Sequence, residues 1–246
     1  MKKSVCMATY NGAKYIEEQV SSILTELDVE DEVVIVDDKS SDNTVELIRR
    51  MADDRIKIYE NEVNHGPNEA FGKAISLSKG DIIFMSDQDD IWIRGRTHVM
   101  TNALMSENVI MVSSNFDCFD NMSMPCKIHD SKLESKKSKK YCRNIIDIFW
   151  GNLNYYGCAM VFKKELIPVI LPFPSYIESH DLWIAKAANL MKSNIHINDL
   201  TLHRRIHGNN ASILKRKLWK KIWSRIVFVV SIFTLLKRIV LNNGNN

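Results

Sequence analysis

The sequence predicts an α/β fold in which a mainly parallel sheet is flanked by helices, and three observations carry that expectation. Apolar runs at 5–8, 33–36, 56–59, 82–85 and 109–112 have strand length and lack polar alternation, as strands buried on both faces do. Between them, Tyr15, Gln19, Ile23 and Leu27, and then Val45, Ile48 and Met51, recur at helical spacing. Strand and helix patterns alternate along the first half, which implies crossover connections and parallel pairing. The chain has 246 residues, 45% hydrophobic and 26% charged, so it is long enough to bury a core and is not composed like a disordered protein.

Each element follows in order. The run at 5–8 opens the sheet almost at once, with no signal-peptide pattern ahead of it, and suggests a protein that is not exported. In sheets of this kind ligands sit beyond the carboxyl ends of the strands. The segments there are Thr9-Tyr10-Asn11-Gly12, Asp37-Asp38-Lys39-Ser40, Asn64-His65-Gly66 and Asp87-Gln88-Asp89-Asp90, all small, polar or acidic. Ser41 or Asp42 suits the N-cap of the second helix. Gly66 supplies backbone freedom, and Pro67 suits a first helical turn. From 117 to 143 the pattern lapses, and Lys136, Lys137, Lys139 and Lys140 read as an exposed basic loop. An apolar run at 158–162 and an amphipathic helical stretch over 181–191 follow. A second folding unit around 115–212, completing the site over the first half, is the simplest description.

Several residues could do chemistry. Asp87 and Asp89, placed i and i+2 at a strand end, offer oxygen ligands suited to Mg²⁺ or Mn²⁺, although a solvated acidic turn fits the spacing equally well. Asp37 and Asp38 can accept from a nucleobase or ribose, or simply form a turn. Asp181, after His180, can act as a general base or as a helix cap favoured by the dipole. His207 has no histidine neighbour at metal spacing, so a metal role needs partners such as the aspartates. No Gly-x-x-x-x-Gly-Lys-Ser/Thr, Gly-x-Gly-x-x-Gly or Gly-x-Ser-x-Gly motif occurs. P-loop, dinucleotide and α/β-hydrolase chemistry therefore lose their usual support, and the basic residues lack the aromatic interleaving of single-strand nucleic-acid binders.

Taken in order, these motifs resemble the family-2 glycosyltransferases of the GT-A fold. The pieces are Ala8-Thr9-Tyr10-Asn11-Gly12, Val36-Asp37-Asp38-Lys39-Ser40-Ser41-Asp42-Asn43-Thr44, Asn64-His65-Gly66 and Ser86-Asp87-Gln88-Asp89-Asp90-Ile91-Trp92. Gly157-Cys158-Ala159-Met160, His180-Asp181-Leu182-Trp183 and Arg205-Ile206-His207-Gly208-Asn209-Asn210 complete the series. The resemblance implies an inverting transferase domain over 1–212, with a nucleotide-binding half at 1–114 and an acceptor half at 115–212. It implies Thr9, Tyr10, Asn11, Asp37, Asp38, Asn64, Gly66 and Asp87 at the nucleotide, and Asp87, Asp89 and His207 at a Mn²⁺ or Mg²⁺ ion. It also implies Asp181 as the base, with Asp90, Trp92, Gly157, Cys158, His180 and Trp183 near the sugars. His180-Asp181 replaces the usual Glu-Asp, and Gly72 stands where Asn is common. The Asp-Gln-Asp-Asp-Ile-Trp and His-Gly-Asn-Asn forms resemble a rhamnosyltransferase-like bacterial subgroup, pointing to deoxythymidine-diphosphate rhamnose or a uridine-diphosphate hexose as donor. A catalytically silent nucleotide-sugar-binding membrane scaffold is one alternative, which binding without transfer would support. A nucleotidyltransferase is another, but it would normally carry a Gly-rich, Lys/Arg-bearing loop where Thr9-Tyr10-Asn11-Gly12 stands.

The C-terminus differs in character. The net charge of +3 hides Lys215, Arg216, Lys217, Lys220, Lys221, Arg225, Lys237 and Arg238; removing these from 33 basic residues leaves 25 against 30 acidic ones, a body of −5 and a tail of +8. Trp219, Ile222, Trp223, Ile226, Val230 and Phe233 share one helical face. The apolar core at 226–236 is too short to span a bilayer, so the segment 213–246 reads as an interfacial helix, with 213–241 against the anionic inner leaflet. A helix packed on the body or on a second subunit is the alternative. The membrane reading suits a lipid-linked oligosaccharide acceptor, no nucleic acid, and a cytoplasmic enzyme held peripherally at the inner membrane. The scattered cysteines Cys6, Cys118, Cys126, Cys142 and Cys158, odd in number and without a Cys-x-x-Cys pair, fit a reducing compartment.

Overall fold

A computed structural model describes residues 1–120, 124–125, 132–207 and 218–243. The elements are β1 (Lys3–Thr9), α1 (Ile16–Leu24), β2 (Glu32–Asp37), α2 (Thr44–Arg50), β3 (Ile56–Glu60), α3 (Pro67–Leu77), β4 (Ile82–Ser86) and β5 (Ile91–Trp92). They continue as α4 (Arg96–Ser106), β6 (Met111–Asp120), α5 (Tyr141–Trp150), β7 (Met160–Lys163), α6 (Ile167–Ile170), α7 (His180–Leu190), β8 (Asn194–Ile206) and α8 (Leu218–Asn243). The strands form one sheet in the order β3-β2-β1-β4-β7-β6-β8-β5. β3, β2, β1 and β4 run parallel, β7 is antiparallel to both β4 and β6, and β6 returns to parallel pairing with β8.

The pleat explains the two cores. Val5, Met7, Val33, Ile35, Ile82 and Phe84 point to one face, against Ile16, Val20 and Ile23 of α1, Ile48 of α2 and Met100 of α4. Cys6, Val34, Val36, Ile83 and Met85 point to the other, against Ala70, Phe71 and Ile75 of α3 and Trp183 and Ile184 of α7. β3 departs from the expected two-sided burial, because it is the edge strand and leaves Lys57 and Tyr59 exposed.

β6 also departs from expectation. It continues to Asp120, past the point where the apolar pattern lapses, and the line expected between the two halves at residue 114 falls inside it. Its buried polar residues find partners: Ser114 Oγ lies 2.6 Å from Thr201 Oγ1, and Asn115 exchanges two 2.8 Å hydrogen bonds with the Leu133 backbone. A strand satisfied in this way carries no hydrophobic signature. The Lys136–Lys140 region is pinned rather than free, with Lys137 2.7 Å from Glu134 and Lys139 2.8 Å from Glu107.

α8 lies along the body. Val227, Ser231 and Leu235 face inward at 7%, 0% and 0% exposure. Arg238 donates to the carbonyls of Val169 (3.1 Å), Ile170 (3.0 Å) and Pro172 (2.8 Å). The face expected to meet a membrane remains exposed, with Trp219 at 81%, Trp223 at 59% and Phe233 at 70%. No helix among the described residues is long and apolar enough to cross a membrane.

Candidate active site

The strand register puts the first, second and fourth of the acidic or polar loops on one edge, since Thr9 pairs with Asp37 and Met7 with Ser86. The cleft there holds about 600 Å³ and is walled by Thr9, Tyr10, Asn11, Tyr15, Asp38, Asn64, Gly66, Phe71, Asp87, Gln88, Asp89, Arg204 and His207, among others. All the expected nucleotide residues but Asp37 therefore share one wall, together with Asp89 and His207.

Asp37 is 1% exposed and is consumed internally. It accepts from Thr9 Oγ1 at 2.9 Å, from Ser40 N at 2.7 Å and from Ser40 Oγ at 2.6 Å. Asp38 organises the next loop, accepting from Asn61 Nδ2 (2.9 Å), His65 N (3.0 Å) and Gly66 N (2.7 Å) while its own carbonyl accepts from Asn64 Nδ2 (3.1 Å). Gly66 can supply that amide because its φ is 87°, a conformation glycine adopts without strain, and Pro67 follows as the first residue of α3. Asn43, not Ser41 or Asp42, is the N-cap of α2. Asp42 instead ties two loops, accepting from Ala13 N at 3.1 Å and from Thr44 N at 3.1 Å.

The acidic triplet is framed from below. Gln19 of α1 donates to Ser86 Oγ (2.7 Å) and to the Asp87 carbonyl (2.9 Å). Gln88 accepts from Tyr10 N (2.9 Å) and donates to Tyr10 O (3.1 Å), clamping the first loop onto the fourth. A Cβ at Gly12 would sit 2.3 Å from Gln88 Oε1, so that clamp requires the glycine. Asp89 Oδ2 lies 2.7 Å from His207 Nε2, and His207 stacks on Tyr15 with centroids 5.1 Å apart. Arg205 closes the frame, donating to the Asp89 carbonyl (3.0 Å), Asp90 Oδ1 (3.2 Å) and Glu18 Oε2 (2.6 Å). Tyr15, Glu18, Gln19, Arg204 and Arg205 are not legible in the sequence as site residues; the long β6–β8 ribbon brings Arg204 to the cleft wall and Arg205 to the acidic loop.

The carboxylates crowd one another. Burial, with the charges of Asp89 and Asp181, pushes the Asp87 carboxyl up to about 6. Asp90 is pushed well above the usual range by burial, Asp87 and Asp89, and its Oδ2 finds no hydrogen-bond partner among the described residues. Excess negative charge of this kind fits a bound divalent cation. Asp89 and His207 are in direct contact. Among the described residues, however, the three donor groups within 4.8 Å of one another are Asp87, Asp90 and Cys158. Burial raises the Cys158 thiol well above its ordinary pKa, so the carboxylates are the better match to a hard ion.

Asp181 lies on α7, outside the cleft's lining residues, and Ser179 rather than Asp181 caps that helix by accepting from Leu182 N. A Cβ at Gly157 would sit 2.9 Å from Asp181 Oδ1 and 3.1 Å from His180 Nε2, so the bare backbone there makes room for both. His180 Nε2 lies 2.7 Å from Asp181 Oδ1, while its Nδ1 and backbone N approach Asn68 Oδ1 at 3.1 Å and 3.0 Å. Burial opposes both charges, but the pair outweighs it: Asp181 is held below the usual carboxylate range, and His180 is raised. Trp92 and Trp183, expected near the sugars, are core residues instead. Trp92 packs on Phe84 and under Arg96, and Trp183 donates to Ile170 O at 2.9 Å. Gly208, Asn209 and Asn210 lie outside the described residues.

Against this geometry, the sequence model for "Glycosyl transferase family 2" matches residues 4–171. The chain belongs to that family. The UDP-Glc:alpha-D-GlcNAc-diphosphoundecaprenol beta-1,3-glucosyltransferase WfgD of Escherichia coli is 27% identical over 223 residues, covering 89% of this chain and 83% of its own length. The dTDP-rhamnosyl transferase RfbG of Shigella flexneri is 30% identical over 172 residues, 65% of this chain and 55% of that protein, so the match spans little more than half of RfbG. Among solved structures, the mannosyltransferase PcManGT of Pyrobaculum calidifontis, in complex with GDP-Man and Mn²⁺, superposes with a TM-score of 0.65 at 18% identity, covering 99% of this chain and 75% of that one. The fold of this family-2 chain is accordingly GT-A, with the expected C-terminal helix added.

Proposed function

We propose that this family-2 enzyme moves a sugar, with inversion, from a nucleoside-diphosphate sugar to a lipid-linked glycan acceptor in bacterial surface polysaccharide synthesis. The observation that carries the reading is the shared cleft, with Asp38 and Asn64 at one side, Asp87, Asp89 and His207 at another, and the ionised Asp181 felt electrostatically at Asp87. The names of WfgD and RfbG support a uridine-diphosphate hexose or deoxythymidine-diphosphate rhamnose as donor, and that of WfgD supports a lipid-diphosphate acceptor.

In this reading Thr9, Tyr10, Asn11, Asp38, Asn64 and Gly66 hold the nucleoside, and Asp37 braces the two loops that do so. Asp87, Asp89 and His207 would hold Mn²⁺ or Mg²⁺, as the Mn²⁺ in the PcManGT complex supports. Such an ion supplies Lewis-acid neutralisation of the leaving diphosphate. Asp181, kept ionised by His180, accepts the proton of the attacking hydroxyl. Residues 1–114 form the nucleotide half, 115–212 the acceptor half, and 213–246 a segment that lies on the anionic inner face of the cytoplasmic membrane. Asp90, Gly157 and Cys158 shape the floor next to the base.

A thermal-shift panel of nucleotides and nucleotide sugars, with and without Mn²⁺ or Mg²⁺, tests the donor half. Metal-dependent stabilisation by one nucleoside diphosphate series is expected. Indifference to every nucleotide would overturn the reading.

A further inference from the structure

A second cavity, about 410 Å³, opens between α5, α7 and α8, away from the donor cleft. Its wall is chemically mixed. Ile148, Leu182, Val227 and Phe228 are apolar, while Lys186 and Arg225 bring two positive charges. Lys186 is only 5% exposed, and its ammonium makes no hydrogen bond or ion pair among the described residues. Its Nζ stands 5.0 Å from the Phe228 ring centroid. Arg225 stands 5.0 Å from the Phe149 centroid, and the two rings meet edge to face at 5.3 Å. Glu178 is the acid on this wall, and it accepts from Ser224 Oγ at 2.7 Å. Burial pushes Lys186 down to about 8 against the pull of Glu178. A lysine held mostly out of water, on a wall that also carries Arg225, favours an anion in the cavity.

The position gives the anion an identity. Ser179 and Leu182, which line the cavity, flank Asp181 in the first turn of α7. Lys186 follows Asp181 by five residues, about 7.5 Å along the helix axis and about 140° around it, so the cavity adjoins the helix start from a different face. Trp150, which lines the cavity, is 64% exposed, and α8, which supplies Ser224, Arg225, Val227 and Phe228 to the same wall, leaves Trp219 (81%) and Trp223 (59%) uncovered. Charge within and uncovered aromatics outside match an amphiphile with an anionic head.

We propose that this cavity holds the diphosphate of a polyisoprenyl-diphosphate-linked acceptor between Lys186 and Arg225, with the isoprenoid chain leaving over Trp150 and α8. The proposal rests on the lipid-diphosphate acceptor named above. It adds the place where that acceptor is gripped, beside the start of the helix that carries Asp181.

The test uses the full chain and farnesyl diphosphate as probe, with farnesol, inorganic pyrophosphate and phosphatidylglycerol vesicles as parallel arms. Calorimetric titration is expected to show saturable binding of farnesyl diphosphate, weaker by at least roughly tenfold in Lys186→Met and in Arg225→Gln, and restored in Lys186→Arg. Nucleotide binding with Mn²⁺ stays unchanged in all three. Lys186→Met removes a buried charge at similar volume, so its melting temperature is expected to match or exceed the native one, and Arg225→Gln provides an independent reading. Equal affinity of native protein and both variants would overturn the proposal. So would equal affinity for farnesol, for pyrophosphate or for vesicles without the diphosphate, or displacement of farnesyl diphosphate by nucleotide. If farnesyl diphosphate binds as expected while no nucleotide does, the donor reading fails and the cavity assignment stands.

Discussion

Asp181 has to be both sheltered and ionised, and His180 reconciles the two. Asp181→Asn keeps the shape of the side chain and removes the base, so transfer is expected to fall by about 10²–10⁴-fold with an unchanged circular dichroism spectrum; near-native turnover would remove Asp181 from the mechanism. Gly157→Ala tests the same point from the backbone, because its methyl would meet Asp181 Oδ1 at 2.9 Å. A loss of roughly a hundredfold in kcat with intact nucleotide binding is expected, as for a catalytic group displaced by about 1 Å. The ion pair also sets a pH dependence of stability. His180 is raised above its ordinary 6.5, so its contribution is complete below that pH and is lost as pH rises through the raised value. Asp181 is lowered from 3.8, so its contribution is present above that pH and is lost as pH falls through the lowered value. The melting advantage of the native protein over His180→Gln is therefore expected to be largest near pH 5–6 and to shrink on the alkaline side; an advantage growing with pH would contradict the pairing. Asp181 was legible from its motif. Its surroundings were only half legible, because Asn68, which holds His180, and Gly157, which adjoins Asp181, are distant in sequence and arrive through α3 and the turn before β7.

Elements with an apolar period were read easily, and elements held by polar partners were not. β1, β2 and β4 emerge at the expected runs because their side chains are buried on both faces. The outer half of β6 was missed because Ser114 and Asn115 are satisfied by Thr201 and Leu133, and their pairing depends on strands more than eighty residues apart. α8 raises a different issue, since its exposed ridge was read as a membrane face while its inner face proves to be docked. Arg238→Ala removes three hydrogen bonds to carbonyls in and just after α6 and is expected to destabilise the protein by about 2 kcal/mol, measured by chemical denaturation. An unchanged unfolding midpoint would mean that α8 is only loosely attached.

At the scale of the whole molecule, the docked α8 changes how membrane association must be tested. Deleting 213–246 would uncover the core around Leu235, so loss of flotation would be ambiguous. Replacing the exposed Trp219, Trp223 and Phe233 together by Ser leaves the inner face intact. Co-flotation of the native chain with anionic vesicles is expected to be lost in that variant, with its melting temperature preserved; equal flotation would move the membrane contact elsewhere. The sequence by itself determined the parallel α/β core, the four loops at its carboxyl edge, and the amphipathic C-terminus, because strand burial and helix periodicity are local patterns. Only the tertiary structure decided that Asp37 is a brace and Asp38 a wall, that Trp92 and Trp183 belong to the core, that Arg204 and Lys186 stand at cavities, and that Arg205 frames the acidic loop. Those assignments depend on which groups consume each donor and acceptor, and those groups lie tens to more than a hundred residues apart along the chain.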